Sequence, residues 1–540
     1  MRLNISDAAR IAAVLSIVQL GACTRVQTGG APHSQVLNMG AAIAPNSLNP
    51  LLNTEQVETT VDRFIYDPLV NTDDKGNPLP DLAVQVPTQK NGGISRDGRT
   101  VTYKLRHGVK WQDGVPFTSE DVRFSFEQTM NPKNNVSTRV GYDMVDRVMT
   151  PDKYTIVFHL RRPYAPIVST LFSSGTGPNF VIPAHLLRSY SDLNSVPFNA
   201  DPVGTGPYRM VRWMRGDHIE LQANPNYFLG KPKIQTIVMH FIPDENTMVN
   251  QIRGHEIEWF FAASEISYNE LKNVTGIRNV ISVQNSYRGM LINTESPLVS
   301  DRRVRQAIAY GIDKEAIVSK ATYGAAHAAT EDLPSFMWAY DPHVFRYSYD
   351  PAKAKQLLAQ AGWKPGPDGI LTKNGKRMQL ALALRQGAAV DNSMSVLVQS
   401  YLKAIGIDTT IKTYQGSTLF AGGTSGILSG GHYDIDLSGF ESGIDPDNSA
   451  QFTCAARPPN GFNWSRYCNP EMEAAQQAAL SSYDQAVRKR AYARIEGLLA
   501  RDVPQIFFYW QPHIDAVNPA LQPFTGGPFY SNWNVQDWQL

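Results

Sequence analysis

The chain reads as strands and helices in alternation. Val101, Tyr103 and Leu105 are apolar while Thr102, Lys104 and Arg106 are polar, the two-residue period of a half-buried strand. Ile407, Thr409, Ile411 and Thr413 alternate in the same way. Further strands are predicted at Val36 to Ala42, Tyr154 to Leu160, Ile234 to Ile242, Met290 to Asn293, Leu380 to Leu384, Tyr433 to Phe440 and Gln505 to Trp510. Elsewhere the period is helical. Val304, Ala307, Ile308 and Gly311 form one apolar stripe, with Ser300 or Asp301 as the cap. Asp350-Pro351 opens a second helix, whose stripe of Ala354, Leu357, Leu358 and Ala361 stops at Gly362. Met394, Leu397, Val398, Tyr401, Leu402 and Ile405 mark a third, and helices follow at Pro470 to Ser481 and Asp484 to Arg501. Strands followed by helices imply an α/β fold with parallel wiring.

The stretch from Pro202 to Pro232 has its own signature. Gly204, Thr205, Gly206 and Pro207 read as a bend in which glycine supplies backbone angles closed to other residues. Tyr208 to Trp213 and His218 to Ala223 then form a hairpin about Arg215-Gly216-Asp217, closed by Asn224-Pro225. No helix opens after this G-x-G and no Lys-Ser/Thr follows, so it is not a phosphate loop. Asp113, Glu120 and Asp121 are explained by turn and helix-cap chemistry, and no nucleophile accompanies them. Arg302, Arg303 and Arg305 read as the wet face of their helix.

With 540 residues the chain exceeds what one core organises, so two or more lobes are expected. A net charge of +1 leaves no global footprint for nucleic acid. Ile11 to Leu20 is an apolar run of signal-peptide length, too short to span a bilayer, and Leu20-Gly21-Ala22-Cys23 looks like a lipobox. Cys23 is thus expected to carry lipid, with two acyl signals giving stable anchoring and a polar tether from Thr24. The other two cysteines, Cys454 and Cys468, are a disulfide candidate in an exported protein, closing a loop of about 15 residues worth roughly 3 kcal/mol. No metal-ligand spacing accompanies them, and no cofactor or metal is expected. There is no G-x-S-x-G or H-E-x-x-H, so a catalytic site is not expected either.

The motifs FIYDPLV, GTGPY, NPNYFLGKP, LINTESPLVSDRRVRQAIAYGIDKEAIV and DPDN occur in this order along nearly the whole chain. Together they resemble the extracytoplasmic solute-binding proteins of the peptide/nickel family, which serve ABC importers. The resemblance implies a two-lobe periplasmic-binding-protein clamshell of type II with an extra subdomain. It implies a signal peptide over 1–22, a tether over 23–35 and lobe I over 36–285, with an inserted subdomain at about 68–200. Lobe II covers 286–505, and 506–540 returns to lobe I. It further implies a monomer outside the cytoplasm, in the periplasm or on the outer face of the membrane, that hands a short peptide to a membrane permease. The alternative is the same fold binding a nickel chelate, a glycoside or an opine. A peptide sensor without a transporter remains a further reading.

Ligands of open α/β sheets sit beyond the carboxyl ends of strands. Arg385-Gln386-Gly387 and the loop from Gly439 to Asn448 qualify in lobe II. A free peptide needs one fixed cation and one fixed anion. Arg385 can grip a carboxylate through two parallel hydrogen bonds, and it falls where dipeptide-binding members carry their arginine. Those members carry an aspartate just before DPDN. This chain is one residue shorter there, and Glu441 is the acid available for the ammonium. Phe440 and Tyr66 are candidate walls. Asp445 is a candidate contact, as is Asn49, which stands in Ser47-Leu48-Asn49-Pro50 where the family has aspartate. The tail aromatics Phe529, Tyr530, Trp533 and Trp538 read as core packing.

Overall fold

The computed structural model describes residues 35–173 and 180–540. The leader and Cys23 lie outside them. A ten-stranded mixed sheet runs through the molecule in the order Asp408–Tyr414, Gln379–Arg385, Ile435–Glu441, Arg278–Ile292, Gln505–Val517, Trp259–Phe260, Val36–Ala41, Thr236–Phe241, His218–Ala223, Tyr208–Met214. The Gln379–Arg385 strand is parallel to both neighbours, as the strand–helix alternation requires. The central strands and the Tyr208–Ala223 hairpin are antiparallel.

Two strands are far longer than the apolar pattern predicts. Arg278–Ile292 extends a dozen residues before Met290, and Gln505–Val517 continues past Trp510. Their extra lengths carry Asn279, Ser282, Gln511, His513 and Asp515, polar residues that hide a strand from a hydrophobicity reading. They pair with each other, and the ladder is irregular between Val283 and Tyr287, opposite Pro512 and Trp510. On one side of this irregularity the core gathers Leu37, Phe64, Ile237, Trp259 and Trp538. On the other it gathers Ile292, Ile308, Leu382, Val398 and Phe508. A third cluster, including Trp111, Phe158 and Leu171, underlies a separate three-stranded sheet of Thr100–Lys104, Thr155–Leu160 and Val145–Asp152. The molecule is therefore a two-lobe α/β clamshell with a subdomain on its first lobe.

Two sequence expectations need correction. Arg305 is not on a wet face. It is buried, and its guanidinium donates to the carbonyls of Asp502, Val299 and Ser300, while Arg303 pairs with Asp301 outside. The glycines of the GTGP bend do not have left-handed angles either, whereas Gly216, at φ +77°, and Gly230, at φ +118°, do have positive φ. Gly204 and Gly206 are required by close approach, since a Cβ on either would lie 1.8 Å and 2.5 Å from the Ile65 backbone. The cap reading holds elsewhere. Asp121 accepts from the Thr118 amide and Asp301 from the Arg303 amide. Cys454 and Cys468 form a disulfide.

Candidate functional site

The GTGPY, FIYDPLV and NPNY motifs meet in one buried knot beneath the cleft. The Gly206 amide donates to the Ile65 carbonyl at 2.8 Å. The Gln112 side-chain amide reaches the carbonyls of Ile65, Gly206 and Tyr208. Asp67 accepts from the Thr205 hydroxyl at 2.7 Å and the Tyr227 hydroxyl at 2.8 Å, and burial still pushes its carboxyl up. This knot fixes the end of the helix Gln56–Ile65, which forms one wall of the cleft.

That helix begins with a buried acid already in use. Glu58 accepts from the amides of Asn46, Thr54 and Glu55. Four residues on, Asp62 is 1 % exposed. One of its oxygens is held by the Asn53 amide, and the other, Oδ1, has no partner among the described residues. Burial raises its carboxyl well above the ordinary range, and Glu58 adds to the rise.

Asp62 lines a cavity of about 280 Å³ whose opposite wall comes from the second lobe at Glu441, the last residue of the Ile435–Glu441 strand. Glu441 is an exposed residue of this lining, with its carboxyl crowded by the walls around it. Its carboxyl is raised by that burial alone, and no hydrogen bond or ion pair reaches it among the described residues. Glu55 also lines this space, with Phe180, Phe529 and Tyr530 as its aromatic faces, and none of the described lining residues is basic. A second, mostly apolar cavity of about 390 Å³ lies between the subdomain and the second lobe, walled by Val70, Ile94, Val168, Met337 and Trp338. Phe336 of this cavity meets Phe529 of the first edge-on, 6.2 Å between centroids.

The structure brings only some of the predicted residues to these spaces. Glu441 lines the acidic cavity. Asp445 lines the apolar one, but its carboxylate is paired with Arg488 at 2.5 Å. Phe440 packs on Phe462 instead, 5.6 Å between centroids. Tyr66 is buried in the first-lobe core, its hydroxyl donating to the Leu48 carbonyl. Asn49 is fully buried and bonded to Asn199 and the Leu51 amide. Arg385 is exposed at the end of its strand, without a hydrogen bond or ion pair among the described residues, and lines neither cavity. Asp62, Asn53, Phe529 and Tyr530 were not legible as site residues. The available signal was Glu58 and Asp62 at i, i+4 on one helix, like charges that disfavour a helix unless something else uses them.

The comparisons agree with this architecture. Residues 77–461 match the family model described as bacterial extracellular solute-binding proteins, family 5 Middle. The oligopeptide-binding protein AppA of Bacillus subtilis is 28 % identical, over 93 % of this chain and 91 % of its own length. The dipeptide-binding protein of Escherichia coli is 25 % identical over 98 % of each chain. Among solved structures, AppA of Bacillus subtilis in complex with a nonapeptide superposes with a TM-score of 0.75 at 27 % identity, covering 94 % of this chain and 99 % of that one. NikZ of Campylobacter jejuni in complex with Ni(L-His) gives 0.77, also at 27 %, covering 94 % of this chain and all of the other. Members of this family bind and carry solutes and are not enzymes. A clamshell with an acid-walled space between its lobes, matched to the family over most of its length, belongs to the family 5 bacterial extracellular solute-binding proteins.

Proposed function

We propose that this chain is the receptor of an ABC importer, taking a short peptide between its lobes and delivering it to a membrane permease. The observation that carries this reading is Glu441, an unpartnered carboxylate at a strand end, facing a cavity whose other wall belongs to the first lobe. A peptide ammonium placed there would meet an acid that no protein cation answers among the described residues. The names of the AppA and dipeptide-binding relatives support a peptide. An acid-walled space weighs against an anionic chelate or opine. Contacts on both lobes would favour the closed form by their difference between open and closed states.

The same proposal includes a monomer held outside the cytoplasm by lipid on Cys23. It places the lobe boundaries where the two long strands cross, with 36–285 and 506–540 as one body and 286–505 as the other. Arg385 would serve a ligand carboxylate only for a peptide extending beyond the two cavities. The test is mass spectrometry of the molecule retained through gentle purification, followed by calorimetry with synthetic tripeptides. A retained peptide and saturable binding are expected. No retained peptide and no heat of binding would overturn the reading.

A further inference from the structure

We infer that the cleft selects basic peptides, with Asp62 receiving a second positive charge supplied by a lysine or arginine side chain. This rests on the peptide reading above, in which Glu441 takes the ammonium. The argument is one of unanswered acids and an unpartnered buried oxygen. Three carboxylates, Glu55, Asp62 and Glu441, line the cavity, and no basic residue among the described ones lines it with them. A single ammonium answers one of them. Asp62 is the least able to be answered by water, being almost wholly buried with Oδ1 unpartnered. The Asn53 side-chain oxygen beside it is unpartnered too, so a donor with several N–H groups would find two acceptors together.

The neighbours explain why no protein cation fills this role. Glu58 is satisfied by three backbone amides and needs none. Arg63, next in sequence, donates to the Asn71 side chain, and its guanidinium lies over the Tyr530 and Phe180 rings, 4.9 Å and 5.9 Å from their centroids, behind the aromatic walls. Phe180 and Phe529 offer apolar faces for the methylenes of a long basic side chain. Because Asp62 stands on the first lobe and Glu441 on the second, a ligand with two cations would bridge them and pull the lobes together. A ligand with one cation would leave a buried carboxyl without a partner, which is costly.

Calorimetry with three trialanine derivatives tests this, each carrying one lysine, at the first, second or third position, against the same set with norleucine. Norleucine keeps the methylenes and removes the charge. For wild-type protein at least one lysine peptide is expected to bind tenfold or more tightly than its norleucine counterpart. In Asp62→Asn the ratio should fall below about threefold. Equal affinities in the wild type, with binding retained, would overturn the inference and leave the peptide reading standing. So would a ratio that survives in Asp62→Asn, since the second cation would then sit elsewhere. Binding by none of the six peptides would overturn both. The wild-type comparison needs no variant to fold.

Discussion

At the residue scale the family motifs turn out to be structural. Asp67, Thr205, Tyr227, Gln112 and two glycines hold one knot, so the sequence showed the scaffold more clearly than the site. The reason is physical. Close packing and buried hydrogen bonds restrict residue type severely, whereas a ligand wall needs only a suitable group at the end of an element. Gly204→Ala would force its Cβ to 1.8 Å from a backbone oxygen that cannot move without unlocking the knot. It is expected to destabilise by about 3 kcal/mol or more, measured by chemical denaturation, and an unchanged midpoint would refute the close-approach account. Binding should also depend on pH with a definite sign. Burial raises both Asp62 and Glu441, so in the empty protein each carboxyl favours its neutral form and a bound cation favours the charged one. Affinity for a lysine peptide is expected to rise as pH climbs above the ordinary carboxylate range of about 4. Part of that rise should vanish in Asp62→Asn, read by titration calorimetry across pH.

At the scale of elements, the helices and interior strands were legible from apolar spacing, and the two crossing strands were only half legible. Their outer lengths carry polar residues that the surrounding structure uses: buried Asp515 accepts from the Trp259 ring N–H and the Ser531 hydroxyl. The contacts that close the subdomain against the second lobe were not legible at all, since they join residues more than 280 positions apart. The Ala165 amide donates to the Leu480 carbonyl, and the Tyr164 hydroxyl donates to Asp447 at 3.2 Å. The Tyr483 hydroxyl lies 3.1 Å and 3.0 Å from the carbonyls of Gly98 and Tyr164. These bonds exist only when the two bodies meet. Tyr483→Phe keeps the ring and removes the hydroxyl, a loss of about 1 kcal/mol. Peptide affinity is expected to fall about fivefold with unchanged thermal stability of the separate lobes, and small-angle scattering of the unliganded protein should show a larger radius. An unchanged radius and affinity would mean that the latch does not bear on closure.

At the scale of the whole molecule, buried acids in the second lobe set a pH optimum for stability. Asp436 is fully buried in a strand, and burial raises its carboxyl to about 7, with the Asp391 charge adding to the rise. Glu331 is raised to about 9 by burial and then by Asp332 beside it, while Arg346 offsets little. Glu496 is buried within the same group and raised in the same direction. A carboxyl raised on folding contributes its stability in full below the unfolded value near 4 and loses it as pH climbs through the folded value. For Asp436 that window runs from about 4 to 7 and the loss is on the order of 4 kcal/mol; for Glu331 it runs on to about 9. Asp502 acts in the opposite sense. Although partial burial opposes it, the hydrogen bonds from Arg501 and Tyr467 hold its carboxyl down to about 2, so its contribution is lost as pH falls from about 4 through that value. Taken together, these acids contribute most near pH 4, between the two windows. Calorimetric melting is expected to show the melting temperature of the second lobe falling steadily from pH 5 to pH 9. Glu331→Gln removes one of these ionisations, and its melting temperature should overtake that of the wild type above about pH 8. A wild-type profile flat across this range would mean that these acids stay neutral or find cations the structure does not place beside them.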